Sequence, residues 1–507
     1  MNQKSYLLFV AFVSFSATTC CQLPGYLDPS FGYNGIATAF TAARAARPCG
    51  MAVAADGKIV WAGASELSGN GNLCVVRCLP NGTLDPDFDI DGITYVHEPD
   101  QDKNDFAFCV AMQNDQKIVV AGCSIQGNVS DFLISRILPG GNQDSTFNQI
   151  GILKIDFGSD DERANAIAIQ PDQKIIVAGS GTPGFSVARI NPDGSLDSTF
   201  NTAGKLIFPF NFPTALAYAV AVQTDGKIVI AGTAGPNFAL LRLNPDGTPD
   251  AGFGYMGVRF INFGSNNNSA AKALKIQSDG KIVVTGNDES NQMMLVRCLP
   301  NGALDPAFGN NGIHILPEQG NANALDIQPD GSILVAGKSF DRFGLFKCNP
   351  DGSTNTGFGA DGSSITEVGG LPNEAFSVIY RPDTTILVGG NYRFSSNFNM
   401  VIARFKDDLD SIPQAATTES VIKPNSLSVF PNPFEHQINI AYALQHSDFV
   451  TIRLVDGSGR TVQNLLKRAF RSKGAQLETV LIDPHLAKGE YFIDINGGEK
   501  MIGVLKQ

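Results

Sequence analysis

Side chains able to do chemistry are sparse in this chain, and few stand at the spacings that chemistry needs. His97 and His314 are the only histidines between residues 22 and 424. They lie far apart in sequence with no third ligand repeating near either, so they read as surface or satisfied histidines rather than a metal pair. Neither a G-x-S-x-G nucleophile elbow nor an H-E-x-x-H helix occurs. Asp100-Gln101-Asp102-Lys103-Asn104 resembles the first half of a calcium loop. The loop's glycine and closing glutamate are missing, since Asp105 and Ala111 stand there, and a solvated acidic loop is the better reading. Glu98, Asp131, Asp288 and Asp341 are loop acids with no shared motif. The reading is therefore of no catalytic residue, no cofactor and no metal site.

Nine cysteines point the same way. Cys20 and Cys21 fall at the end of an apolar leader, leaving Cys49, Cys74, Cys78, Cys109, Cys123, Cys298 and Cys348. An odd number without a C-x-x-C pair is neither a disulfide framework nor a zinc site. Cys109 and Cys123 could meet across a hairpin centred near Gln116. The others read as small buried hydrophobes.

The elements that must position any site repeat along the chain. DGKIVWAG from Asp56 recurs as DQKIVVAG from Asp115, DQKIIVAG from Asp172, DGKIVIAG from Asp225, DGKIVVTG from Asp279, DGSILVAG from Asp330 and DTTILVGG from Asp383. A second element places Gly four residues after Phe, at Phe31, Phe88, Phe147, Phe200, Phe253, Phe308 and Phe358. A third is an apolar run carrying one cation: Arg77, Arg136, Arg189, Arg242, Arg297, Lys347 or Arg404. Each unit offers four short strands joined by Asp-Gly and Asn-Pro-Asp-Gly turns, and no helical period intervenes. Four antiparallel strands every 51 to 59 residues describe propeller blades. The array starts with a lone fourth-strand unit and ends without one. Ile36 to Phe40 is thus expected to complete the blade at 375–405 and close the ring. Arg189 and its equivalents are expected to pair with the Asp of the following turn, such as Asp197.

The predicted fold class is all-β: a seven-bladed β-propeller at 22–406 and a small β-sandwich at 425–507, joined by a linker at 407–424. The charge balance supports that division. Residues 1–424 carry 28 Lys and Arg against 41 Asp and Glu, whereas 425–507 carry 9 against 8. Residues 1–21, with Lys4 before the apolar run Tyr6 to Phe15, have signal-peptide form. A net charge of −12 excludes a basic nucleic-acid-binding stripe, and no later run is long enough for a membrane helix.

The units D-G-K-I-V-V-A-G, R-x-N-P-D-G and L-D-x-x-F-G-x-x-G resemble the delta-sixty repeats of bacterial secreted propeller-like proteins, a resemblance that implies a fold and no activity. VFPNPF at Val429, LVDGSGRTV at Leu454, LAKGEYFIDI at Leu486 and the closing GVLKQ resemble the C-terminal sorting domain of the type IX secretion system. The matching residues include Pro431, Asn432, Pro433, Gly459, Arg460, Gly489, Tyr491 and Lys506. That resemblance implies export, contact with the type IX machinery, and a secreted or outer-surface location. Of function, the sequence supports a non-catalytic binding or adhesion module first, with a glycan or protein as ligand. The alternatives are a propeller hydrolase or lyase acting on polysaccharide or lactone, and a structural envelope protein. Recognition is expected on the varied loops, at Tyr392, Phe394, Glu98, Asp100 and Asp102.

Overall fold

The computed structural model describes residues 24–43, 50–65, 71–96, 104–212, 214–263, 269–394, 397–407, 427–430, 437–444, 448–456, 460–471, 474–483, 486–496 and 500–506. Regular structure among them is all β. Two compact units divide at Ser411 and Ile412.

The first unit consists of seven antiparallel blades of four strands each, the third and fourth joined into one sheet by a single bridge between Ser180 and Leu216. Blade 1 runs through Gly50–Val53, Ile59–Ser65, Asn72–Cys78 and Ile93–Tyr95, and the inner strands of blades 2 to 6 start at Asn104, Arg163, Ala215, Ala270 and Asn321. In blade 7, Asn373–Tyr380, Thr385–Phe394 and Asn397–Lys406 are completed by the N-terminal strand Ile36–Ala43. Ile36 pairs with Ala403 and Ala39 with Met400, so the expected closure is present.

The unbroken β-branched runs explain why the blades stack. Side chains alternate across a strand, so Ile59 and Trp61 enter the core shared with blade 7, while Val60 and Ala62 enter that shared with blade 2. Both faces are covered, and both must be apolar. Seven such cores, one between each neighbouring pair of blades, replace a single large one. The repeated Phe fills each: Phe31, Phe88, Phe147, Phe200, Phe253, Phe308 and Phe358 are all buried.

The repeated cation locks one blade to the next. Arg189 Nε donates to Asp197 at 2.6 Å, its guanidinium lies 4.9 Å from the Phe200 ring centroid, and its Nη1 donates to the Pro245 carbonyl of the following blade. Lys174 reaches the same carboxylate at 2.9 Å. Arg77–Asp85, Arg136–Asp144, Arg242–Asp250, Arg297–Asp305 and Arg404–Asp28 repeat the pair at 2.7 or 2.8 Å. Burial pushes the Asp28 carboxyl up, but hydrogen bonds from Ser30 and the charges of Arg404 and Lys406 outweigh it, and its pKa ends below the ordinary value.

At the seam, chain ends replace a turn. Gly25 N donates to the Lys406 carbonyl at 2.7 Å and Lys406 N to that of Tyr26 at 2.9 Å. Gly25, at φ +98°, lies flat against the Phe358 ring, where a Cβ would come within 2.9 Å. Blade 6 departs from the repeat because Asn355 stands where the others have Asp, and Lys347 pairs instead with Asp407 at 2.8 Å.

The six described cysteines are all buried. Cys109 faces Ala121 and Cys123 faces Phe106, so register separates the pair the hairpin could have joined. Desolvation pushes the thiols of Cys78, Cys298 and Cys348 up to about 12, which leaves them inert.

The second unit has a three-stranded sheet of Leu427–Phe430, Gln437–Leu444 and Gly474–Leu481. A four-stranded sheet holds Thr461–Arg471, Asp448–Val455, Gly489–Ile495 and Lys500–Lys506. Ile438, Ile440 and Tyr442 of the first share one core with Ile452, Leu454, Ile493 and Ile495 of the second, which makes a small sandwich.

Two outcomes follow. A chain lacking residues 24–43 loses the fourth strand of blade 7 and the Arg404–Asp28 lock; its thermal midpoint should fall by roughly 10 °C or more, and it should self-associate through the bared edge. The Asp carboxyls have folded pKa values below their unfolded ones. Their contribution is therefore complete above the ordinary carboxylate range and is lost as pH falls from there through the lower folded values. Urea midpoints should hold steady from pH 7 to about 4 and drop below that.

Candidate functional site

The glycine that ends each repeated second strand shapes the centre of the ring. Along the first two strands of blade 3, Ala164 faces Gly179 and Ala166 faces Ala178, so Asn165 between them has no partner. The same one-residue bulge leaves out Phe108, Tyr218, Lys272, Asn323 and Phe376 in blades 2, 4, 5, 6 and 7. A Cβ on Gly179 would lie 1.8 Å from the Arg163 carbonyl oxygen, and one on Gly232 2.0 Å from that of Leu216, so only glycine admits the bulged strand. Bulges re-aim a side chain. Here all six bulged residues line one central channel of about 810 Å³. The blade 1 position, Cys49, lies outside the described residues.

These positions are equivalent by repeat, yet they hold Phe, Asn, Tyr, Lys, Asn and Phe. Lys272 Nζ sits 3.6 Å from the centroid of the Tyr218 ring. Burial pushes its pKa down to about 8, and the charge of Glu374 partly opposes the shift. Burial also raises the Tyr218 phenol. Glu374, on the channel wall, accepts from Asn321 Nδ2 at 2.7 Å and Asn323 Nδ2 at 2.9 Å, and faces Lys338 Nζ at 3.9 Å. The channel thus offers a desolvated cation, a held carboxylate, amides and aromatic faces. The bulges lie in the first half or middle of each inner strand, and the channel lining continues past them to Lys275, Leu325 and Ile379.

Of the residues singled out from sequence, only some lie among the described residues. Tyr392 is only 5% exposed and its ring packs on Gly369, so it builds the blade instead of presenting a free face. Phe394 ends its strand opposite Asn397. Glu98, Asp100, Asp102 and His97 lie outside the described residues, as do Pro431, Asn432, Pro433 and Gly459. Arg460 Nε pairs with Asp456 at 3.2 Å, Tyr491 donates to the Ala487 carbonyl at 2.8 Å, and Gly489 faces Lys506 across the last strand pair. His314 Nε2 is 3.3 Å from the Thr354 hydroxyl. Asp288 caps its own loop through Ser290 N and Gln292 N, both at 2.9 Å, and Asp341 pairs with Lys338 at 3.5 Å. Asp131 joins Asp156 and Glu162 in a group whose carboxylate oxygens lie within 4.8 Å of one another. Both Glu162 oxygens are already held, by Phe157 N and Ser159 N at 2.7 Å. Sequence reasoning missed the channel residues. The available signal was alignment of the repeats at the position seven residues before each turn Asp, where unlike residues follow a small residue, Ala in six of the seven units.

Lys272 gives this site a pH signature. An unfolded lysine titrates near 10.5, so between pH 8 and 10.5 the unfolded chain binds more protons and stability rises with pH. Below pH 8 both states are charged and the desolvation cost is felt in full. K272M should therefore raise the thermal midpoint at pH 7, and the gain should shrink by pH 10.5. Gly232→Ala, which drives a Cβ into the Leu216 carbonyl, should cost about 2–3 kcal/mol in urea unfolding.

The family described as domain of unknown function (DUF5122) beta-propeller matches residues 54–88, 113–147, 170–200, 223–253, 277–308 and 328–358. All the bulged residues fall outside these spans. The secretion system C-terminal sorting domain matches residues 428–504. No curated protein sequence matches the chain. Among solved structures, Sqt1 from Chaetomium thermophilum is similar at TM-score 0.43 and 11% identity, over 70% of this chain and 81% of that one. Polysaccharide lyase Uly1 is similar at TM-score 0.42 and 9% identity, over 77% and 98%. The chain is thus a propeller of DUF5122 repeats carrying a secretion system C-terminal sorting domain.

Proposed function

We propose that this secreted propeller is a non-catalytic binding module, taking a polar ligand such as a glycan at the channel mouth and on the varied loops around it. The observation that carries the reading is the loss of seven-fold equivalence at the bulges. Where the repeat needs only architecture its residues recur; at the bulged inner position, which lines the channel, Phe108, Asn165, Tyr218, Lys272, Asn323 and Phe376 differ. A rigid scaffold with unlike side chains converging on a cavity is the usual form of a binding site. The loops Ser65 to Asn72, Glu98 to Asp105, Ser159 to Arg163, Asn287 to Gln292, Lys338 to Arg342 and Tyr392 to Asn397 would extend it. Residues 425–507 direct the protein through the type IX machinery after residues 1–21 are removed.

A second reading, a hydrolase or lyase acting on polysaccharide or lactone, draws on Lys272, Tyr218 and Glu374 sharing one channel. Glu374 is held by two amides, which suits a fixed charge better than a proton carrier. Titrating the secreted protein with a panel of glycans, and assaying the same panel and lactones for cleavage with and without calcium, separates the two. Binding without turnover, weakened at least about tenfold by the double change Tyr218→Phe and Asn323→Ala, is expected. Turnover abolished by Glu374→Gln would establish the enzyme instead. Removing 425–507 should leave a folded propeller in the periplasm, and its normal appearance outside the cell would refute the sorting role.

A further inference from the structure

The hairpin between the second and third strands of blade 6 departs from what its turn demands. Ser339 pairs with Arg342, so Phe340 and Asp341 make the whole turn, at φ +49° and +61°. A two-residue turn with both central residues in the left-handed region calls for Asn-Gly, and a bulky side chain is strained there. Phe340 is nevertheless 71% exposed, so little packing offsets that strain. The equivalent turns of blades 2 to 5, at Gly127-Asn128, Thr182-Pro183, Gly235-Pro236 and Asp288 to Gln292, hold no aromatic. The tip is also braced. Asn373 N donates to the Asp341 carbonyl at 2.9 Å, Asn373 Oδ1 accepts from Phe343 N at 2.7 Å, and Ser339 Oγ donates to the Gln319 carbonyl at 3.1 Å. Lys338 Nζ lies 3.5 Å from Asp341 and 3.9 Å from Glu374 on the channel wall, so the tip stands beside the channel. A strained, exposed aromatic on a fixed tip is a candidate contact for a ligand.

Size and charge narrow the occupant. One ring face is the footprint of one pyranose, whose axial C–H groups rest on the negative face of an aromatic ring. It falls far short of the roughly 800 Å² that each partner of a stable protein complex buries. Around the tip stand three carboxylates, Asp341, Glu367 and Glu374, against two cations, Lys338 and Arg342. That balance, −1, disfavours an acidic sugar, and carboxylates are acceptors for hydroxyls. Asp341, the second residue of the turn, keeps its side chain 64% exposed. We propose that Phe340 is the stacking platform for a pyranose of a neutral, equatorially hydroxylated glycan, with Asp341 accepting one of its hydroxyls. This rests on the binding reading above and names its ligand class and the side chain that grips it.

Calorimetric titration of the secreted protein with β-linked glucose oligomers, and with glucuronate oligomers as the acidic control, tests it. The neutral oligomers should bind more tightly than the acidic ones. F340N, whose side chain tolerates the left-handed region, should melt no lower than the parent and bind at least about tenfold more weakly. F340W should keep the parent's affinity within about threefold. A lower thermal midpoint for F340N would make Phe340 a packing residue, and undiminished binding by F340N would remove the platform; either overturns the assignment and leaves the binding reading standing. A dimer in sedimentation velocity that F340N abolishes would put a second copy of this chain on the ring in place of a sugar. Binding of other glycans but not of glucose oligomers would overturn the assignment alone, and binding of no glycan by the parent would overturn both.

Discussion

One buried ion pair, repeated around the ring, organises the propeller. Each guanidinium meets the Asp of its own blade, the face of the Phe that fills the inter-blade core, and in the same reach a Pro carbonyl on the neighbouring blade. A buried pair adds little net stability against apolar substitutes, but breaking one leaves a charge stranded at several kcal/mol. Its main consequence is geometric. A planar fork with fixed donor directions admits one relative position of two blades, where interdigitating Val and Ile would tolerate sliding. Repetition of that position sets where the ring closes. Arg404 and Asp28 make the same contact between the two ends of the propeller, so the seam is built as the joints after blades 1 to 5 are, blade 6 alone using Lys347 and Asp407.

A second constraint acts at the inner edge. The glycine closing each second strand removes a Cβ that would collide with a carbonyl of the inner strand, and the inner strand takes up the slack as a bulge. The bulged residue is left out of the ladder, so its identity is not set by strand pairing; Asn165 and Asn323 use that freedom to donate to the Ala217 and Ala375 carbonyls of the next blade at 2.9 Å, and Phe108 to join Ala64 and Phe106 in a small buried cluster. Six such positions carry four residue types, and one of them places a lysine against a tyrosine face in a site that lowers its pKa to about 8. The Arg–Asp–Phe cluster holds the blades, and the bulge ring varies inside them without disturbing it. The matched family spans begin just after the bulges, in keeping with that separation.

What the sequence by itself determined is considerable. Asp-Gly turns, two-faced apolar runs and a cation before each Asn-Pro-Asp-Gly fix strand number, strand order and the Arg–Asp partners, because all of these are local or recur at a constant period. The unpaired fourth-strand unit at the N-terminus implied closure, and Ile36–Ala43 supplies it. Tertiary structure alone decided the rest. Tyr392 reads as an exposed loop aromatic, yet it packs on Gly369, a residue twenty-three positions earlier whose approach no local pattern encodes. Cys109 and Cys123 stand symmetrically about Gln116, but the pairing of Met112 with Ile118 centres the hairpin on Asp115, and that register sets Cys109 opposite Ala121. Glu374 is one acid among many in the sequence and becomes part of a site only when blades 6 and 7 bring Asn321 and Asn323 to it. Convergence at an axis is a property of the closed ring: residues about fifty positions apart meet there because every blade points its first strand at the same line, and the chain holds no record of that line until the last strand is in place.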